Sequence, residues 1–135
     1  MKFAGFDLDR PRIMGIVNVT PDSFSAGGKA RRLTDAVRQA RNMRSAGADL
    51  IDIGGESTRP GAVPISVDEE CGRVIPVIEA LSQEEFLISI DSRRSGVMEA
   101  AIDSGAGIVN DISALSGDPN SILVIAKTKV PVILT

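Results

Sequence analysis

Four polar side chains recur at one place in the pattern of this chain. Asn18, Asp52, Asp91 and Asn110 each stand within or just after a short apolar run: Ile13–Val17, Leu50–Ile53, Phe86–Ile90 and Gly107–Val109. One such residue usually caps the loop that follows it. Four in successive units can converge on a single pocket. Two of the runs open into loops with more polar chemistry than a turn needs. Met14-Gly-Ile-Val-Asn-Val-Thr-Pro-Asp-Ser-Phe-Ser-Ala-Gly-Gly28 carries Asn18 and Asp22, and Asp52-Ile-Gly-Gly-Glu-Ser-Thr-Arg-Pro-Gly61 carries Glu56, Ser57, Thr58 and Arg59. Such side chains can hold a metal, a phosphate or a heterocycle. Either loop alone also fits an ordinary connection; two in one chain, each after a strand, point to a site.

The elements that must position these residues follow from the hydrophobic period. Ile13–Val17, Leu50–Ile53, Phe86–Ile90, Gly107–Val109 and Val130–Leu134 have strand length, and longer segments of helical period lie between them. A helix is expected from Leu33 to Ala46, with Thr34 as N-cap and Gly47 as stop. A second runs from a cap at Ser66 to about Leu81, with Glu69 completing a capping box and Val67, Val74, Val77, Ile78 and Leu81 facing inward. A third spans Ser95 to Ser104 before Gly105, and a fourth Pro119 to Lys127. Ser45–Ile53 and Ser104–Ile112 echo each other: helix end, glycine stop, strand, polar strand end. Alternating strands and helices give right-handed βαβ units and a parallel sheet, and ligands of such folds bind at the C-terminal ends of the strands. The Gly-, Ser- and Pro-rich loops 20–32 and 56–65 are expected to be mobile without substrate.

Composition removes several classes of function. The 135 residues suit one domain, and 43% are hydrophobic. The four aromatics are all Phe, so the core must be aliphatic and a base-stacking platform for single-stranded nucleic acid is absent. A net charge of −3 gives no footprint for a phosphate backbone. The chain has no histidine, which excludes His-based triads, metal sites and general bases. The single Cys71 fits a packing role in a helix. No Gly-x-Gly-x-x-Gly or Gly-Lys-Ser/Thr loop follows the first strand. With no secretory pattern and no membrane-length apolar run, a cytoplasmic protein is the expectation.

Asn18-Val-Thr-Pro-Asp-Ser-Phe-Ser with Gly27-Gly28, the Gly-Gly-Glu-Ser-Thr-Arg-Pro-Gly stretch ending at Gly61, Ile90-Asp-Ser92 and Val109-Asn-Asp-Ile112 together resemble the dihydropteroate synthase family. The resemblance implies an α/β fold, the TIM (β/α)8 barrel, here as its first four to five βα units, with residues 1–135 the N-terminal portion of one pterin-binding barrel domain. Such a barrel takes about 250 residues. The implied activity is that of a transferase of folate biosynthesis, joining 6-hydroxymethyl-7,8-dihydropterin pyrophosphate to 4-aminobenzoate with release of pyrophosphate.

On that resemblance Asn18 is the Mg²⁺ ligand, Mg²⁺ being the implied cofactor, and Asp22 and Arg59 are catalytic. Ser57, Thr58, Asp91 and Asn110 bind substrate. Arg59 also serves the pyrophosphate and the benzoate, and Phe24 and Pro60 wall the aminobenzoate ring. A homodimer is implied, with no nucleic-acid or membrane partner. Ala26 stands where the family usually carries Asp, and Ser92 replaces a commoner Thr while keeping the hydroxyl. Alternatives are an inactive pterin-binding fragment, or a methyltransferase barrel that binds methyltetrahydrofolate. The latter shares the Asp and Asn pattern but lacks both loop motifs.

Overall fold

The β-branched residues that dominate the apolar runs favour a pleated, buried surface. In a computed structural model, which describes residues 1–21 and 28–135, these runs form a five-stranded parallel sheet. A small hairpin precedes it, with β1 (Lys2–Phe3) and β2 (Phe6–Asp7) joined through Ala4 and Gly5, both at positive φ (48° and 85°). Two-residue strands are too short to leave a periodic signal, and sequence reading had placed nothing there. The sheet follows as β3 (Met14–Asn18), β4 (Leu50–Gly54), β5 (Ile88–Asp91), β6 (Ile108–Asp111) and β7 (Val132–Leu134), each paired with the next in chain order. Between them run α1 (Gly28–Ser45), α2 (Val67–Ser82), α3 (Ser95–Asp103) and α4 (Ser121–Thr128). Sequential order with a helix in every crossover is the arrangement of successive barrel units.

One face of the sheet packs on the helices. Val17, Ile51, Ile53, Ile88, Ile90 and Val109 join Ala40 of α1, Val74, Ile78 and Leu81 of α2, Met98 of α3 and Val124 of α4 in one aliphatic core. The opposite face carries the alternate residues, among them Asn18, Asp52, Gly54, Asp91 and Asn110.

Helix ends follow the expected chemistry in three places. Ser66 Oγ accepts the Glu69 N–H at 3.0 Å. Ser66→Ala should cost about 1 kcal/mol of stability, read as a lowered urea midpoint at unchanged slope. Gly47 and Gly105 stop α1 and α3 with φ of 112° and 123°.

Other boundaries moved. Helix α1 begins at Gly28, so Thr34 lies inside it and donates its hydroxyl to the Ala30 carbonyl at 3.0 Å rather than capping. Residues 28–32 therefore belong to a helix and not to a mobile loop. Strand β5 starts at Ile88, because Glu85 takes a positive φ of 59° and Phe86 turns its ring under Arg44, whose guanidinium carbon is 3.8 Å from the ring centroid. Strand β6 extends to Asp111, so Asn110 lies within it. Helix α4 starts at Ser121 rather than Pro119, and β7 at Val132 after Pro131. Val67 is 38% exposed, while Glu70 takes a buried place on the inner side of α2 at 1%.

Candidate active site

Strand register builds the site. Asn18 pairs with Gly54, Gly54 with Asp91, Asp91 with Asn110, and Asn110 with Ile133. These residues form one row across the C-terminal edge of the sheet. Gly54 leaves room in the middle of the row: a Cβ there would lie 3.4 Å from Asp91 Oδ2 and 3.6 Å from Asn18 Oδ1. Its neighbour serves a different purpose. A Cβ on Gly55 would stand 2.8 Å from Val74 Cγ1 and 3.3 Å from the Glu70 carbonyl oxygen. Gly55 thus lets β4 exit directly over α2, and Gly55→Ala should cost about 1–3 kcal/mol by overpacking, measurable by thermal unfolding.

Asp52 sits one layer deeper, 2% exposed, where its Oδ2 accepts Asn110 Nδ2 at 3.2 Å. That bond fixes the orientation of the Asn110 amide. Burial pushes the Asp52 carboxyl up, and the Ser89 and Asn110 side chains draw it partly back. Asp91 is pushed up to about 7, first by burial and then by the negative charges of Asp52, Glu70 and Asp111. A carboxyl at that value holds or gives up a proton near neutral pH, the property of a functional site rather than of a loop cap.

Above the row opens a polar cleft of about 530 Å³. Asn18 lines it from the end of β3, Thr20 and Pro21 from the segment that follows, Asp91 from β5, and Glu56, Ser57, Thr58 and Arg59 from the loop after β4. The four polar strand-end residues therefore share one edge and one face. Asn18 and Asp91 reach the cleft wall, and Asp52 supports Asn110 from below. Ser57, Thr58 and Arg59 line the cleft. Pro60 is exposed and stands outside the residues that line the cleft. Asp22, Phe24 and Ala26 lie outside the described residues.

Sequence reading missed Glu70, Arg93 and Arg94, which stand behind the loop. Glu70 of α2 accepts the Ser92 hydroxyl at 2.7 Å, and its Oε1 is buried without a hydrogen-bond partner, 3.8 Å from Arg94 Nη1. Glu56 Oε1 accepts Arg93 Nε at 2.9 Å, and Oε2 accepts Arg94 Nη2 at 2.8 Å and Arg93 Nη2 at 3.2 Å. Burial pushes the Glu56 carboxyl up, but the Arg93 bond, the Ile65 N–H and the two guanidinium charges outweigh it and hold it below its ordinary value. Arg93 and Arg94 look like plain surface residues in the sequence; the only available signal was their position directly after a strand-end Asp and Ser.

A sequence profile of pterin binding enzymes matches residues 14–135. The chain belongs to the pterin-binding enzyme family. Within the family, it is 52% identical over 129 residues to dihydropteroate synthase of Escherichia coli K12, a match that covers 95% of this chain and 45% of that one. It is 49% identical over 127 residues to the Bacillus subtilis enzyme of that name, again covering 45% of it. Two solved structures superpose closely. Dihydropteroate synthase of Xanthomonas albilineans with 4-aminobenzoic acid gives a TM-score of 0.86 at 52% identity, covering 93% of this chain and 46% of that one. The same enzyme in complex with 7,8-dihydropteroate gives 0.81 at 46% identity, covering 94% and 46%. The chain thus spans a little under half the length of these relatives. The fold is that of the first βα units of their TIM barrel. Among the described residues no helix is long and apolar enough to cross a membrane.

Proposed function

We propose that this protein acts as a dihydropteroate synthase, condensing 6-hydroxymethyl-7,8-dihydropterin pyrophosphate with 4-aminobenzoate to give 7,8-dihydropteroate and pyrophosphate. The observation that carries the reading is the row Asn18–Gly54–Asp91–Asn110 beneath the Ser57–Arg59 loop. It occurs in a chain 52% identical over its matched length to an enzyme that holds 4-aminobenzoic acid.

The roles follow from the side chains. Asp91 and Asn110 offer acceptors and donors at fixed spacing, which suits the N–H and C=O edge of a pterin. Thr58 and Ser57 add hydroxyls from the loop. Arg59, on the same loop, presents a fork of donors to the departing diphosphate or the benzoate carboxylate. The arylamine nitrogen forms a bond to the pterin methylene carbon, the C–O bond to diphosphate breaks, and the amine gives up a proton. Stabilising the leaving charge is the main demand on the protein. Asp22 is the second catalytic residue of the proposal, and Phe24 with Pro60 would bound the aminobenzoate ring.

Asn18 fits Mg²⁺: its amide oxygen is a hard donor at the cleft wall. Among the described residues no cluster of three acidic, His or Cys side chains could cage an ion. A cation at Asn18 would thus keep mostly water and diphosphate oxygens, as Mg²⁺ prefers, and would supply charge neutralisation for the leaving group. The proposal includes a cytoplasmic homodimer without nucleic-acid or membrane partners.

The test is to mix the purified protein with both substrates and Mg²⁺ and to measure pyrophosphate and dihydropteroate. Equimolar formation of the two is the expected result. Pterin binding without pyrophosphate release would select the binding-fragment reading instead.

A further inference from the structure

We propose that Glu56, Arg93 and Arg94 form a clamp that closes the base of the 57–64 loop and so positions Thr58 and Arg59 over the cleft. This rests on the reading above, in which that loop serves a pterin diphosphate. The residues are positioning residues, since none of the three is placed against the reacting atoms.

The geometry is that of a closed staple. Glu56 opens the loop and Ile65 ends it. Glu56 Oε2 accepts the Ile65 N–H at 3.3 Å, and Arg94 spans the same two residues, donating from Nη1 to the Ile65 carbonyl and from Nη2 to Glu56. Arg93 holds the other carboxylate oxygen. Both halves are largely shielded from water, with the Glu56 side chain 11% exposed and that of Arg94 15%. The pair is therefore less screened than a surface ion pair.

Among the described residues the loop has little else to hold it. Residues 57–61 are exposed, and Val63 is 81% exposed, so among the described residues no apolar anchor fixes its path. Inside it the hydrogen bonds among the described residues are local: Arg59 N–H to Ser57 Oγ at 3.3 Å and Ala62 N–H to the Arg59 carbonyl at 3.0 Å. The clamp also connects the loop to the pterin row. Arg93 and Arg94 follow Asp91 and Ser92 directly, so loop position is set relative to the strand that carries Asp91. Arginine is required at 94 because two nitrogens act at once on a carbonyl and a carboxylate, which a single ammonium does not reproduce.

The test uses Glu56→Gln and Arg94→Lys in the full chain, the second being the milder variant should the first fail to fold. Hydrogen exchange is followed at the Arg59 and Ala62 amides. Binding is measured for 6-hydroxymethyl-7,8-dihydropterin pyrophosphate and for the corresponding alcohol, which lacks the diphosphate. Both variants should speed exchange at the two amides. They should weaken the diphosphate ester by about 10- to 100-fold, the loss of one charge-assisted hydrogen bond. The alcohol, held by Asp91 and Asn110 on the strands, should change by less than about threefold.

Unchanged exchange with unchanged ester affinity would overturn the clamp. So would an equal loss for ester and alcohol, which marks a general structural defect. If the unaltered protein does not distinguish ester from alcohol, the functional reading fails instead. Exchange then decides alone: faster at Arg59 and Ala62 upholds the clamp, unchanged overturns it.

Discussion

Asp91→Asn is expected to weaken dihydropterin binding at pH 8 by about 100-fold, the upper end for a hydrogen bond to a charged group. Asparagine keeps the shape of the side chain but turns an N–H₂ toward ligand donors. The pH profile separates this from a packing defect. The carboxyl is pushed up from its ordinary 3.8 to about 7 by burial and by Asp52, Glu70 and Asp111. Ligand N–H groups favour its charged form. Binding below pH 7 therefore releases a proton, and affinity should climb by up to about tenfold per pH unit towards 7 and level off above it. In Asp91→Asn the profile should be flat.

Stability moves the opposite way. Between pH 4 and 7 the folded protein holds a proton at Asp91 that the unfolded chain has already lost. The contribution of this group to stability is thus unpenalised below the unfolded value, and it declines as pH rises through the folded one. The variant should lose that decline and match or exceed the parent in melting temperature at pH 8. Titration calorimetry across pH 5.5–8.5 checks the binding profile and thermal unfolding over the same range checks the stability; an Asp91→Asn protein with the parent's affinity and slope would refute the role given to Asp91.

The second large effect is on the fold itself. Ile90 is fully buried, flanked in register by Ile53 and Val109, and faces the helix layer. Truncation to alanine leaves a cavity that neighbouring strands, fixed by their ladders, are poorly placed to fill. Ile90→Ala should cost about 2–5 kcal/mol. Because Ile90 precedes Asp91 on the opposite face, ligand affinity of the molecules that remain folded should change far less than their number. Chemical denaturation beside binding stoichiometry gives the two quantities separately.

Much of this was legible in the chain. Asp91 and Asn110 follow apolar runs whose only stable use is a buried strand, so their place at a sheet edge came from the period alone. Ser66 with Glu69, and Gly47 and Gly105, marked helix ends by local chemistry. Glu70 was not legible. It follows Asp68 and Glu69 in the first turn of a helix, where acids are favoured by the dipole, and only the arrival of Ser92 and Arg94 from a distant part of the chain turns it inward. Phe86 was misread for a similar reason. Its hydrophobicity fits a strand, but Arg44, 42 positions earlier, gives its ring a use outside the ladder. Contacts between distant segments leave no mark on local spacing.

The row Asn18–Gly54–Asp91–Asn110 has a consequence for how this protein tolerates length changes. Its alignment is a property of backbone pairing, so the site behaves like a set of ruled lines. Sliding one strand by a single residue turns its polar end to the helix side. Sliding it by two restores the face but moves the side chain by roughly 7 Å along the strand. Lengthening a connecting loop leaves the ruling intact, since loop closure grows costly only slowly with length. Insertions should therefore divide sharply by position: accommodated in the loops outside the cleft, and fatal to ligand recognition within the strands even where the sheet still forms.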